Sequence, residues 1–141
     1  MTPTDLSSLV TAFFVQYLAA ERNVSPHTTA AYRDAIKLLL RFVAAQGGRQ
    51  VAALCVEDLA PPVILDFLTD LETTRGNAIR TRNARLAAIQ SFFRYVMERE
   101  PALSAHCQRV LAIPDKRSVH PVLGYLTEVE IHAVFQQVDR V

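Results

Sequence analysis

Apolar residues recur along this chain three and four residues apart, the spacing of one helix face, in four successive stretches. Leu6, Leu9, Val10, Phe13, Phe14, Tyr17 and Leu18 mark the first. Their pattern predicts a helix over residues 5–22, and its wide apolar face makes it a packing helix. The second opens at Ser25-Pro26, a cap residue followed by a proline at a position where the missing N–H costs nothing. Tyr32, Ile36, Leu39, Leu40 and Val43 form its stripe, Arg33, Lys37 and Arg41 repeat on the outside, and Gly47-Gly48 stops it. Residues 51–59 read as an irregular connector with some β-branched character. Pro61-Pro62 starts the third helix, with Ile64, Phe67, Leu68 and Leu71 inward and Asp66, Asp70 and Glu72 making its outside acidic.

The fourth stretch, residues 75–99, is the strongest. Leu86, Ile89, Phe92, Phe93, Val96 and Met97 form its buried stripe, while Arg80, Asn83, Ala87, Gln90 and Arg94 fall on another face. Gly76-Asn77 is a turn signal, and Asn77 is a candidate cap. Pro101 breaks the pattern, and residues 102–111 predict a short helix. The stretch from Pro114 to Pro121 is rich in proline and charge and reads as an extended, mobile linker. Beyond it, Thr127 and Glu130 form a capping box, and Ile131, Val134, Phe135 and Val138 begin a new stripe. The expected organisation is a helical domain over 1–113, a linker over 114–124, and over 125–141 the first helix of a further domain that the chain does not continue.

At 141 residues, half of them hydrophobic, the chain is long enough for one domain with a real core. Its net charge of +1 argues for no partner by itself. The distribution is more informative. Residues 1–70 hold five basic and seven acidic side chains, whereas residues 71–141 hold ten and seven. A local basic excess of this kind steers polyanions. Cys55 and Cys107 lack the spacing of a disulfide framework or a zinc site, and His27, His106, His120 and His132 are scattered without ligand spacing. There is no nucleophile constellation and no glycine-rich phosphate loop, so no catalytic residue, cofactor, metal or small-molecule ligand is expected. The absence of a signal-peptide pattern and of a membrane-length apolar run points to a cytoplasmic location and no membrane partner.

Two places invite a nucleic acid. The fourth helix carries Arg75, Arg80, Arg82, Arg85 and Arg94 with no acid between Glu72 and Glu98. Its basic first turns sit badly with the positive end of the helix dipole, so Arg80, Arg82 and Arg85 are candidates for phosphate contact rather than folding, with Asn83 on the same polar side. Arg82 is the odd member, because its angle on the wheel leans toward the core. The second helix opens with the hydroxyls of Ser25, Thr28 and Thr29, the ring of His27 and free backbone N–H groups, a natural phosphate seat. An ordinary capped helix start and a solvated charged face are the plainer readings of the same residues.

The order of these features resembles a known family. Ser25-Pro26-His27-Thr28-Thr29-Ala30-Ala31-Tyr32 and Thr81-x-x-x-Arg85-Leu86-x-Ala88-Ile89-x-x-Phe92-Phe93-x-Tyr95-Val96 resemble the second and fourth helices of the N-terminal, core-binding domain of tyrosine recombinases, the phage integrase and Xer/Cre group. Pro114-Asp115-Lys116-Arg117 and Leu126-Thr127-Glu128-x-Glu130-Ile131 resemble the interdomain linker and the start of the catalytic domain. The resemblance implies an all-α, four-helix SAM-like orthogonal bundle that clamps double-stranded DNA of a recombination site, alongside other recombinase protomers. It implies backbone or base-edge contacts from His27, Thr28, Arg80, Thr81 and Arg85. The family often has Ser and Arg where this chain has Ala87 and Gln90. Its catalytic arginines, lysine, histidines and tyrosine lie in a second domain, and Tyr17, Tyr32, Tyr95 and Tyr125 match none of them, so this chain is not expected to cut or rejoin DNA. The expected setting is bacterial, on a mobile element. The rival readings are an all-helical protein-interaction module and a regulatory fragment that occupies recombination sites.

Overall fold

The structure, a computed structural model, describes residues 5–117, apart from the side chains at positions 20 and 21. The capping box at Thr127, the stripe from Ile131 to Val138, Tyr125, His120 and the rest of the linker lie outside the described residues. Within them the fold is all-α: α1 (Leu6–Ala12, running on as a π-helix over Phe13–Glu21), α2 (Pro26–Gly47), α3 (Pro61–Thr73), α4 (Ile79–Arg99) and α5 (Ser104–Leu111). Three short 3₁₀ turns join them, and a lone antiparallel bridge pairs Asp5 with Cys55. Among the described residues no helix is long and apolar enough to cross a membrane.

The first helix spans the expected residues but changes its winding. The Arg22 N–H donates to the carbonyl of Tyr17, five residues back, at 2.8 Å. In an α-helix residues five apart diverge by about 140°. The wider π winding instead lines them up. Phe13 and Leu18, five apart, are both buried, at 0% and 2% exposure. The chain then leaves through Asn23 in the left-handed region, at φ 48°.

α2 starts and stops as its sequence dictates. Ser25 Oγ accepts the Thr28 N–H at 3.1 Å, and Pro26 occupies the first turn. Gly48 at φ 62° ends the helix while the Arg49 N–H closes back on Ala44 at 2.9 Å. Arg49 then pairs with Asp58 at 3.0 Å, and Asp58 also accepts the Cys55 N–H at 2.9 Å, which fixes the connector.

The entry to α4 differs from the expectation. Gly76 takes φ 66° and the Asn77 N–H donates back to Leu71 at 2.9 Å, so Asn77 belongs to the turn. Ala78 occupies the cap position with no side-chain bond, and Asn77 Oδ1 is buried without a partner. The dipeptide signals the turn, but it lies one residue too early to cap the helix.

α4 is the central element. Leu86, Ala88, Ile89, Phe92, Phe93, Tyr95 and Val96 are all buried. Phe92 meets Phe13 edge-on at 5.4 Å between centroids, and Phe13 lies 5.6 Å from Tyr95. Phe67 of α3 and Phe42 of α2 pack at 5.6 Å. The short helix after Pro101 is a full member of the core, so the bundle has a fifth helix where four were expected. Cys107 and Val110 of α5 are fully buried, and burial pushes the Cys107 thiol above its ordinary pKa. His106 packs on Phe93 with Nε2 3.0 Å from the Leu59 carbonyl oxygen. Gln90 Nε2 points at the end of α5, 2.9 Å from the Ile113 oxygen and 3.4 Å from those of Val110 and Leu111. The position at which the chain departs from the recombinase pattern thus satisfies the carbonyls of a helix terminus.

Candidate nucleic-acid interface

The first turns of α2 and the first half of α4 face each other across a cleft of about 380 Å³. Thr28, Tyr32 and Asp34 of α2 contribute its polar edge, with Thr81 and Arg85 from α4. Ala31, Ala84 and Ala88 line it with side chains of a single methyl, which keeps it open. Arg85 is half-buried in the wall, and its Nε has no hydrogen-bond partner. A buried guanidinium N–H left unpaired is costly, so an acceptor arriving from outside would be favoured there.

The expected contact residues divide into groups. Thr28, Thr81 and Arg85 meet in the cleft. His27 and Arg80 are exposed at the starts of their helices. Ser25 is occupied as the α2 cap, and Thr29 Oγ1 donates to the Ser25 carbonyl at 3.2 Å, so these two shape the helix start.

Arg82 and Asn83 have a different task. Arg82 is only 8% exposed, and its Nη1 donates to Asn83 Oδ1 at 3.0 Å. Asn83 also holds the backbone of Lys116: its Nδ2 donates to the Lys116 oxygen at 2.7 Å, and its Oδ1 accepts the Lys116 N–H at 2.9 Å. Lys116 Nζ reaches both oxygens of Glu72 on α3 at 3.0 and 3.1 Å. Residues expected to face a ligand therefore fasten the chain just after Ile113. Where the sequence predicts a mobile linker, its first residues are anchored through Lys116.

Two cleft residues escaped sequence reasoning. Tyr32 was assigned to packing, yet it lies one turn beyond Thr28 on the same face, a spacing that could have flagged it. Asp34 places a carboxylate on an otherwise cationic lining and gave no signal in a scan for basic residues.

Comparison with known proteins fits this geometry. The family model described as phage integrase, N-terminal SAM-like domain, matches residues 12–100, and the chain belongs to that family. It is 44% identical over 131 residues to an integrase/recombinase, y4rD, of Sinorhizobium fredii, covering 93% of this chain and 47% of that protein. A second such protein of the same organism, y4rC, is 42% identical over 135 residues, 96% of this chain and 41% of its own length. The tyrosine recombinase XerC of Oceanobacillus iheyensis is 28% identical over 126 residues, 89% of this chain and 38% of that protein. The chain thus spans less than half the length of these relatives. No solved structure matches it.

Proposed function

We propose that this chain binds duplex DNA through the α2–α4 cleft, as the N-terminal clamp domain of a site-specific tyrosine recombinase acting in DNA integration and recombination. The observation that carries the reading is the convergence of Thr28, Tyr32, Thr81 and Arg85 on one open cleft, with an Arg85 donor uncommitted. Arg80 and His27, exposed at the two helix starts, flank it and meet phosphate oxygens. Inside the cleft, Asp34 disfavours a phosphate, so Arg85, Thr28 and Thr81 face base edges in the major groove. The acidic side of α3 contributes nothing to the lining and turns elsewhere. Cutting and rejoining belong to residues of the whole recombinase other than these, and the work is done on cytoplasmic DNA with further protomers on the site.

With one small basic surface, the domain alone binds DNA at roughly 10⁻⁴–10⁻⁶ M near physiological salt. A titration of labelled duplex at several salt concentrations tests this, with Arg80→Ala/Arg85→Ala beside the wild type. The expected result is salt-dependent binding whose slope drops by about one per lost phosphate contact. Binding that ignores salt, or none at low salt, would overturn the proposal.

A further inference from the structure

We propose that a second notch, where the π-wound end of α1 meets α2 and α4, seats one phosphodiester of the DNA backbone; this rests on the DNA-binding reading above. The notch measures about 110 Å³, and its polar lining is Tyr17, Arg22, Tyr32, Ser91 and Arg94. Leu18 and Val24 complete it, and no Asp or Glu is part of it. Tyr32 lines both this notch and the larger cleft, so the two are continuous on one face.

The two arginines arrive by different routes. Arg94 projects from the exposed side of α4 and has no hydrogen bond or ion pair with any described residue. Arg22 is held in place. Its guanidinium carbon lies 5.8 Å from the centroid of the Tyr17 ring, and its Nη1 is 3.5 Å from the Tyr17 hydroxyl. Tyr17 is in turn fixed against Tyr95 at 5.0 Å and Phe13 at 5.7 Å. Tyr17 and Arg22 are five residues apart, so the π winding that aligns Phe13 with Leu18 also brings this pair together.

Two guanidinium groups with hydroxyls beside them and no carboxylate match the chemistry of a phosphate anion. The larger cleft, which holds Asp34, does not offer that. The division of labour is base edges at Thr28, Thr81 and Arg85, and backbone at Arg22 and Arg94.

The test is anisotropy of a short fluorescent duplex with the 141-residue chain across a salt series. Arg22→Ala/Arg94→Ala should flatten the slope of log K against log salt by about two and weaken binding roughly tenfold. Arg22→Lys/Arg94→Lys should restore most of the slope, since charge governs it. Should the double alanine variant lose its helical circular dichroism, Arg94→Gln decides alone, with an expected change of about one in slope. An unchanged slope in the notch variants, while Arg80→Ala/Arg85→Ala loses affinity, would overturn the notch and leave the cleft standing. A wild type without salt-dependent binding would remove the DNA reading and the notch with it.

Discussion

Replacing Arg82 with Ala separates the arginine that serves the fold from those that serve a ligand. At 8% exposure the side chain is almost wholly out of water. The change removes two buried methylenes beyond Cβ, worth about 0.8 kcal/mol each. It also removes the 3.0 Å bond to Asn83 Oδ1, worth about 1 kcal/mol net. Against this, Nε has no partner, and losing that buried donor returns about 1 kcal/mol. The balance is a destabilisation of about 1.5–2 kcal/mol, or roughly 5–8 °C in Tm for a domain of this size. Thermal unfolding by circular dichroism measures it. Arg82→Met keeps the stem and discards the desolvated guanidinium, and should stay within about 1 kcal/mol of wild type. Arg80→Ala, at an exposed position, should change stability by less than about 0.5 kcal/mol. The reasoning is refuted if Arg82→Ala melts like Arg80→Ala while its DNA salt slope falls, because Arg82 would then be a surface contact.

Other outcomes follow from the same packing. Phe92 is 1% exposed and sits edge-on to Phe13, so Phe92→Ala should cost about 3–5 kcal/mol in urea denaturation; a loss under about 1 kcal/mol would contradict the core described above. Asn83→Ala should release the Lys116 N–H, which donates to Asn83 at 2.9 Å, and speed its amide exchange toward that of free chain with little change in Tm; retained protection would show that something else holds the segment. Burial raises the Asp58 carboxyl, but hydrogen bonds from Arg49 and from the Cys55 N–H and thiol outweigh it and hold the group below its ordinary 3.8. That contribution is complete above the ordinary value and is lost as pH falls through the lowered one. Tm of wild type and Asp58→Asn should therefore converge on acidification from about pH 5 toward pH 2, and a gap that stays constant would count against the ion pair with Arg49.

The parts of the fold that depend on near neighbours were legible in the sequence. Apolar periodicity located the helices, and Ser25-Pro26 and Gly48 fixed both ends of α2, because caps and stripes are local physics. The π winding of α1 was not, since a pattern read at one fixed angle per residue cannot show that Phe13 and Leu18 share a face. Asn83 escaped for another reason. Its partner Lys116 is 33 residues away, and nothing in the fourth helix alone distinguishes an amide that meets DNA from one that holds the chain. Gln90 is similar, spent on carbonyls of α5 20 to 23 residues on. In the site, Thr28, Thr81 and Arg85 could be picked out because each opens or follows a helix start. Arg82 was swept into the same cluster by charge, although its position on the wheel already pointed inward.

The central claim is that DNA lies across α2 and α4 on the face that holds the cleft. Amide chemical-shift mapping of the labelled chain during a low-salt titration with duplex DNA tests it most directly. The account predicts the largest changes at Thr28, Ala31 and Tyr32 and at Thr81, Ala84, Arg85 and Ala88, fading as salt rises. Changes gathered instead around Leu65, Asp66 and Thr69 on the outer side of α3, or none along α2 and α4, would contradict it.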